Sequence, residues 1–324
     1  MAATITDPLA RKPFGKTGLF VPPIAIGCAP LGNMADTFGY AVSEADAIAT
    51  ILATLDSPIP YIDTAAHYGD GESERRVGLA LRERGGLPAN AILQTKEGRD
   101  LSNNDYSGET IKRRMERSLQ LLGVDRVDIV YLHDHEWTTF ENAMSPGGPV
   151  EVLQAFREQG VIRFLGIAGG PVPNQMRFVE TGLFDALIHH NRYTLLNRSA
   201  DPLIDAAAAR GMAVLNAAPY GSGMLVKGPD AYPRYAYQQA STEMIDRVRQ
   251  FAAISERHNV PLAATALQFS TRDPRMTSTI VGMSRPERIA DTIRFLTTPI
   301  PDELWTDIAD IPYDMKDPEQ NRFA

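Results

Sequence analysis

Eight apolar segments alternate with helical patterns along most of the chain, and this alternation constrains the fold more than any other feature. The segments are continuous aliphatic runs rather than period-two alternations, which is typical of strands buried on both faces of a parallel sheet. "AILQTK" followed by the amphipathic "GETIKRRMERSLQLLG" is one such pair. No low-complexity tract divides the chain. We therefore predict one (β/α)8 TIM barrel domain over residues 1–324, with a short N-terminal β-hairpin and a C-terminal extension.

A doubly wound α/β sheet would show the same alternation of strands and helices. That fold binds dinucleotides through a Gly-x-Gly-x-x-Gly sequence directly after a strand. No predicted strand of this chain is followed by that sequence. The barrel is therefore the favoured fold.

Composition argues against several classes of function. The 324 residues carry a formal net charge of -8 and a pI near 5.3, which disfavours a nucleic-acid partner because such affinity rests on many Lys and Arg side chains. Cys28 is the only cysteine, so we expect no disulfide framework and no cysteine-rich metal site. The first residues lack an apolar signal segment, and no uninterrupted run of about 18 apolar residues occurs. We expect a cytoplasmic protein without a membrane partner.

Ionisable residues end three successive predicted strands. Residues 61–78 read "YIDTAAHYGDGESERRVG", in which a short apolar strand ends at Asp63 and Tyr68 follows five residues later. The next two strands end at Lys96 and His133. Each residue alone has an ordinary explanation as a helix cap, a packed tyrosine, a surface lysine or a core histidine. Because TIM-barrel active sites lie at the carboxyl ends of the strands, we expect the four to converge at one pocket mouth.

These four side chains suit proton transfer at a carbonyl or hydroxyl group. The pKa of a free tyrosine is about 10, and the ammonium of Lys96 is expected to lower the pKa of Tyr68 by favouring the phenolate. Asp63 would hold Lys96 and keep it charged. Tyr68 would then carry the proton, and His133 would orient the reacting oxygen. None of the four can accept a hydride, so a redox reaction would need a cofactor.

The sequence motifs resemble those of the aldo-keto reductases along nearly the whole chain. They run from "FGKTGL" and residues 61–78 through "LQTK", "YLH" and "GIAGG" to "LNAAPYGSGML" and "VGMSRPERIADTI". "HDHEW", "RYTLLNR" and "TIVGMS" are similar to the branch of L-fucose, D-threo-aldose, L-galactose and pyridoxal 4-dehydrogenases. The resemblance implies a cofactor, NADP or NAD, that binds across the barrel mouth without a Rossmann domain. It also implies a catalytic tetrad of Asp63, Tyr68, Lys96 and His133.

The resemblance also implies where the cofactor binds, although the chain departs from the usual pattern near the nicotinamide. Ala168 and Gly169 stand where most members have Ser-Asn. His190 replaces a usual glutamine, and Ala217 replaces a common stacking tyrosine. His190 is open to two interpretations, as a packing residue or as a cofactor ligand. The implied cofactor-binding residues are Gly27, Cys28, Asp63, Ala168, Gly169, His190, Ala218, Pro219, Tyr220, Gly221, Met224, Gly282, Ser284, Arg288 and Asp291.

The segment "MSRPERI" is expected to bind the phosphate end of the cofactor. Ser284 and Glu287 have capping-box spacing, so we expect Ser284 to open the last barrel helix and leave backbone N–H groups facing an anion. Arg288 matches the family position that meets the adenosine 2′-phosphate. Gly282 replaces the phosphate-binding lysine of the family, and Arg285 would compensate. The pattern favours NADP with NAD accepted, and the alternative is that both arginines only solvate a helix face.

The branch resemblance implies oxidation of an aldose such as L-fucose, L-galactose or D-arabinose at C1 to the lactone. Tyr68 and His133 would contact the reacting group. Asp134 and Glu136 would accept hydrogen bonds from sugar hydroxyls, and Trp137 would offer an apolar face to the ring. Pyridoxal 4-dehydrogenase or general aldehyde and ketone reductase activity is the alternative. The loops after the first, fourth and seventh strands would set specificity.

Two functions of other classes remain open. A metal-dependent barrel hydrolase could use zinc ligands, but such barrels usually take a His-x-His pair from the first strand, which here ends in "IGCAP". We expect no metal. A non-catalytic subunit that binds cofactor would have the same fold. We expect a small-molecule substrate and a monomer or homodimer. The residues considered as zinc ligands are His133, His135, Glu136, His189 and His190.

Overall fold

The computed structural model describes residues 7–319. An antiparallel hairpin comes first, formed by β1 (Lys12–Pro13) and β2 (Phe20–Val21). The chain then enters a closed barrel of eight parallel strands. Seven of them follow in chain order as β3 (Ile24–Gly27), β4 (Tyr61–Asp63), β5 (Ile92–Glu97), β6 (Val127–His133), β7 (Ile162–Ala168), β8 (Ala186–His190) and β9 (Ala213–Ala217).

The eighth barrel strand follows a second small hairpin. That hairpin consists of β10 (Arg234–Tyr235) and β11 (Gln238–Gln239). Strand β12 (Ser278–Gly282) pairs in parallel with both β9 and β3 and so closes the barrel. The predicted (β/α)8 architecture with its N-terminal hairpin is confirmed.

Helices follow the strands and cover the outside of the barrel. Two of them begin at serine caps: Ser43 and Ser107 each accept a hydrogen bond from a backbone N–H of the first helical turn. No helix in the described part is long and apolar enough to cross a membrane. The helices are α1 (Ala35–Phe38), α2 (Glu44–Leu55), α3 (Glu72–Arg84), α4 (Gly108–Leu122), α5 (Phe140–Ala143), α6 (Pro149–Glu158), α7 (Val172–Glu180), α8 (Asp201–Ala209), α9 (Met224–Lys227), α10 (Thr242–Arg257), α11 (Leu262–Thr271), α12 (Glu287–Thr297) and α13 (Asp302–Asp307).

The N-terminal hairpin closes one end of the barrel. Phe14 and Val21 are fully buried in the same apolar cluster as the inward-facing Ile129 and Leu215. The Phe14 ring lies 6.1 Å from that of Phe164, near the amino end of β7. Because apolar side chains fill the amino end, a ligand enters from the carboxyl ends of the strands.

Two predicted boundaries differ from the structure. Helix α12 begins at Glu287 after Pro286, and no side chain caps it, so the prediction that Ser284 opens this helix with a capping box is wrong. Strand β5 continues one residue beyond Lys96 to Glu97, so Lys96 is the penultimate residue of its strand.

Candidate active site

The four side chains predicted from the strand ends lie together at the carboxyl end of the barrel. Lys96 Nζ donates to Asp63 Oδ2 at 2.9 Å and to Tyr68 Oη at 3.0 Å. The Tyr68 ring lies edge-on to the His133 ring, with centroids 6.1 Å apart. Asp63 and Lys96 are both almost fully buried, whereas Tyr68 is half-buried. The phenol is therefore the member of the ion-paired group that reaches the mouth.

The hydrogen bonds of Lys96 fix the direction in which Tyr68 can donate. The third N–H of the ammonium donates to the carbonyl oxygen of Thr64 at 2.8 Å, so all three N–H groups of Lys96 have acceptors. The phenol oxygen of Tyr68 receives one of these bonds. Its own hydrogen must then point elsewhere, and the open side of Tyr68 faces the mouth.

Close backbone packing holds Tyr68 in place. Gly69 has a φ of +64°, and a Cβ at this position would lie 2.1 Å from the carbonyl oxygen of Gly32. Only glycine allows both the left-handed conformation and this approach. The loop that carries Gly32 is itself anchored by Arg76 of α3, whose Nη1 donates to the carbonyl oxygens of Leu31 and Val42. The "YGDGESERR" stretch thus positions the tyrosine.

Gln94 supports the four residues from inside the barrel, and the sequence analysis did not identify it. Its Oε1 accepts hydrogen bonds from Tyr61 and Tyr131, and its Nε2 donates to Asp63 Oδ1 at 2.6 Å. The two phenols thereby fix the amide so that its N–H faces the carboxylate. Side chains two residues apart on a strand lie on the same face. Gln94 stands two residues before Lys96 on β5, and this spacing could have identified it from the sequence.

Burial changes the proton affinities of these groups. Burial raises the pKa of Tyr68 to about 12, although the charge of Lys96 acts to lower it. The prediction of a net decrease is therefore wrong, because removal from water outweighs the ammonium. Burial alone would lower the pKa of Lys96, but Asp63 and Tyr68 raise it overall. Burial lowers the pKa of His133 to about 3, so at neutral pH this ring is uncharged and Tyr68 carries its proton.

A second polar group lies beside His133. Asp134 Oδ1 is 3.3 Å from Nε2 of His133, and Asp134 Oδ2 is 3.1 Å from Nδ1 of His67. The other nitrogen of His67, Nε2, lies 2.8 Å from the carbonyl oxygen of Arg99. Burial opposes ionisation of Asp134, but the interactions with His133 and His67 lower its pKa overall. Asp134 was predicted as a substrate residue, whereas His67 was missed.

The structure does not favour the zinc-hydrolase alternative. Among the residues that the structure describes, the group that could share a metal ion is His67, His133 and Asp134, whose ligand atoms lie within 4.8 Å of one another. Of the five residues considered as zinc ligands, His133 alone belongs to this group. His135 packs instead against the ring of Phe178 at 4.9 Å.

The other predicted substrate residues surround the same mouth. Burial, with the charge of Asp134, raises the pKa of Glu136 to about 8. Glu136 is therefore mostly protonated at neutral pH and can donate a hydrogen bond as well as accept one. Trp137 is 44% exposed, and the guanidinium of Arg99 stacks on its ring at 3.8 Å. Arg99 covers one face of the indole, which leaves the opposite face for a ligand.

The C-terminal extension returns to the barrel mouth. Glu319 is fully buried, and its Oε2 lies 2.8 Å from His190 Nε2 and 2.9 Å from Arg192 Nη1. Arg192 also contacts Asp317. These ion pairs tie the extension to the end of β8 and hold one nitrogen of His190, so packing and cofactor binding through its other nitrogen are compatible roles.

A cavity of about 730 Å³ lies beside these residues, between the loops that follow β3, β9 and β12. Seven of the predicted cofactor-binding residues line it. They are Ala218, Pro219, Tyr220, Gly282, Ser284, Arg288 and Asp291. The remaining predicted residues lie outside this lining. They are Gly27 and Cys28 at β3, Asp63 at β4, Ala168 and Gly169 at β7, His190 at β8, and Gly221 and Met224 near α9.

Two of these residues have clear packing roles. Met224 is fully buried in an apolar cluster with Leu225 and Phe251. A Cβ on Gly221 would lie 2.4 Å from the ring of Tyr235. Packing therefore explains why these two positions hold methionine and glycine.

Three cations line the cavity: Lys227, Arg285 and Arg288. Within residues 7–319, none of them forms a salt bridge. Lys227 was not predicted, and its Nζ lies over the rings of Tyr232 at 4.4 Å and Tyr40 at 5.8 Å. Three carboxyl groups, those of Asp46, Glu287 and Asp291, line the same cavity. Among the described residues none of them forms a salt bridge with the three cations, which are therefore available to an anionic ligand.

Comparisons with known proteins agree with this geometry. A sequence model described as the aldo/keto reductase family matches residues 23–312. D-threo-aldose 1-dehydrogenase from a Pseudomonas species is 31% identical, over 94% of this chain and 97% of that protein. Pyridoxal 4-dehydrogenase from Microbacterium luteolum is also 31% identical, over 91% and 95%.

A third relative and a solved structure extend the comparison. L-galactose dehydrogenase from Arabidopsis thaliana is 28% identical over 88% of each chain. The solved structure of an aldo-keto reductase from Bacillus halodurans, in its holo form, superimposes with a TM-score of 0.76. It covers 97% of this chain and 99% of its own at 23% identity, which supports the fold.

Proposed function

The chain belongs to the aldo/keto reductase family of oxidoreductases, and we propose that it oxidises an aldose at its anomeric carbon to the lactone, with NADP or NAD as cofactor. The observation that carries the proposal is the polar mouth around Tyr68. Asp134 lies 3.3 Å from His133, and Glu136 and the half-exposed Trp137 follow in the short 3-10 helix His135–Trp137. Carboxyl groups beside an aromatic face suit a ring with several hydroxyls.

The residues of this chain supply the proton transfer and the orientation. Oxidation removes the proton of the anomeric hydroxyl and a hydride from the same carbon. A bound nicotinamide supplies the hydride acceptor. Tyr68 takes the proton, and the neutral His133 holds the oxygen through a ring N–H. Lys96 keeps the phenol in position and acts to favour its anionic form, and Asp63 holds Lys96 in place. Because the pKa of Tyr68 is about 12, we expect the oxidation rate to increase with pH.

Product analysis tests the reaction. Incubation with L-fucose, L-galactose or D-arabinose should yield the lactone together with an equal amount of reduced cofactor, which is measured at the reduced-nicotinamide absorbance band. A lactone is expected because the anomeric carbon of a cyclic sugar already carries the ring oxygen. If no lactone forms at millimolar sugar while pyridoxal is converted rapidly, the enzyme is a pyridoxal 4-dehydrogenase instead. Failure to turn over any aldehyde or sugar would favour the non-catalytic alternative.

The cavity lined by Lys227, Arg285 and Arg288 fits the phosphates of a dinucleotide. These three cations, which form no salt bridge within the described part of the chain, match the charge of the pyrophosphate and of an adenosine 2′-phosphate. Gly282 leaves the usual lysine position of the family without a charge, and Lys227 on α9 brings a positive charge to the same cavity. We infer that Arg288 contacts the 2′-phosphate and that Lys227 replaces the missing lysine. On this assignment NADP is preferred and NAD is accepted.

Arg288→Ala is expected to weaken NADP binding about 10- to 100-fold and NAD binding much less. A charge-assisted hydrogen bond to the extra phosphate is lost in the first case only. Dissociation constants for both cofactors, measured by fluorescence titration, give the comparison. Arg257→Ala is the control, because Arg257 is exposed, pairs with Asp307 and lies outside the cavity lining. Equal losses for NADP and NAD would show that Arg288 does not contact the 2′-phosphate.

A further inference from the structure

Two hydrogen bonds hold the ring of His67. Its Nδ1 lies 3.1 Å from Asp134 Oδ2, and its Nε2 lies 2.8 Å from the carbonyl oxygen of Arg99. A carbonyl oxygen can only accept, so Nε2 carries a hydrogen and donates it. Only 8% of the His67 surface is exposed, so the ring is fixed in place and its Nδ1 in turn fixes Oδ2 of Asp134.

The pair lies beside the position of the reacting oxygen. Asp134 Oδ1 is 3.3 Å from Nε2 of His133, which is the group proposed to hold that oxygen. A substrate oxygen bound by His133 and Tyr68 would place the next carbon of the substrate near Oδ1. Vicinal oxygens are separated by about one hydrogen-bond length, so a hydroxyl on that carbon can donate to Asp134.

The backbone around Asp134 is arranged to keep its carboxylate at this place. Asp134 has a φ of 51° and a ψ of 45°, a left-handed conformation that few residues with a side chain adopt. Its N–H donates to the carbonyl oxygen of Ala168 at 3.1 Å. A Cβ on the neighbouring Gly169 would lie 3.0 Å from Asp134 Oδ1. Gly169 therefore leaves room for the carboxylate where most family members have an asparagine.

From this arrangement we propose that Asp134 binds the hydroxyl on the carbon next to the reacting carbon, and that His67 is the positioning residue that holds Asp134 ionised and correctly oriented for it. The pair then selects α-hydroxy aldehydes and aldoses over substrates that lack this hydroxyl. The proposal rests on the proposed function, since it specifies the substrate class of the same site. Without His67, the carboxylate would lose the hydrogen-bond partner that fixes its Oδ2 and would be free to rotate away.

Matched substrate pairs test the selection. In the reductive direction the pair is 2-hydroxypropanal and propanal, and in the oxidative direction it is L-fucose and 2-deoxy-L-fucose. The wild-type enzyme should prefer the hydroxylated member by kcat/KM. His67→Gln and Asp134→Asn should each reduce this preference about 10- to 100-fold, as expected for one hydrogen bond to a charged group. His258→Gln is the control, because His258 forms a similar pair with Asp307 at 2.8 Å on the far side of the molecule, and it should leave the preference unchanged.

Two further measurements separate selection from a general loss of structure. The dissociation constant of the cofactor should not change in either variant. In the Asp134→Asn background, His67→Gln should reduce the preference no further, because His67 acts through Asp134.

The outcomes distinguish the inference from the proposed function. If both members of each pair lose kcat/KM equally, or if the wild-type enzyme shows no preference, the inference is overturned. If neither sugar is oxidised but 2-hydroxypropanal is preferred to propanal, the aldose function fails while the inference stands.

Discussion

Replacing Tyr68 with phenylalanine is expected to lower kcat by about 10²- to 10⁴-fold, the range that a positioned proton donor or acceptor contributes. The substitution keeps the ring that packs beside His133 and removes the hydroxyl that receives the hydrogen bond from Lys96. Substrate KM should change less than kcat, since the proton transfer occurs in the transition state. Steady-state kinetics with each cofactor measures both quantities.

Cofactor binding should survive the Tyr68→Phe change. Tyr68 does not line the cavity that contains Arg288, so the dissociation constant of NADP should stay near that of the wild type. Tyr313→Phe is the control for loss of a phenol in general, because Tyr313 is 39% exposed and packs against Arg198. Turnover retained in Tyr68→Phe would exclude Tyr68 as the proton carrier.

The barrel and its catalytic mouth could be predicted because both follow from simple rules. Parallel strands buried on both faces read as apolar runs, and the alternation with helices gave their order. Side chains at the carboxyl ends of parallel strands converge, so Asp63, Lys96 and His133 could be placed together without coordinates. Tyr68 could be included because a turn that follows a strand end reaches the same mouth.

The supporting residues could not be predicted because their roles depend on distant parts of the chain. The role of His67 follows from its contact with Asp134, and the two residues are 67 positions apart in the sequence. Lys227 lines the cavity from α9, whereas Arg288 lines it from α12, 61 positions further along the chain. Glu319 joins His190 through a return of the chain that no local pattern indicates.

The sequence also could not provide the extent to which the catalytic side chains are buried. The prediction for Tyr68 counted the charge of Lys96 and took no account of desolvation. The structure buries the phenol beside Asp63 and Lys96, and the cost of removing a phenolate from water exceeds the benefit of the ammonium. The sign of a pKa shift therefore required coordinates even where the partners were correctly named.

Removing the charge of Lys96 should have the second large effect on catalysis. In Lys96→Met the phenol loses the one strong interaction that acts to lower its pKa, so the pKa of Tyr68 should rise above about 12. Oxidation needs the deprotonated phenol, so the increase of its rate with pH should begin at a higher pH than in the wild type. At any fixed pH below the pKa of Tyr68, kcat should fall by at least about 10-fold for each unit by which that pKa rises. Full pH profiles of kcat measure the shift.

The loss of activity must be separated from the loss of stability in this variant. Lys96→Met leaves Asp63 as a buried carboxylate without its cation, which costs about 3–5 kcal/mol. The double variant Asp63→Asn with Lys96→Met removes both charges, and the amide can still accept from Gln94. It should therefore regain much of the lost free energy of unfolding in urea titrations while its pH profile stays shifted. Because Lys96 lowers and Asp63 raises the pKa of Tyr68, with the effect of Lys96 the larger, the double variant should show a smaller shift of its pH profile than Lys96→Met alone. A double variant with the wild-type pH profile would show that the ammonium does not act on the phenol.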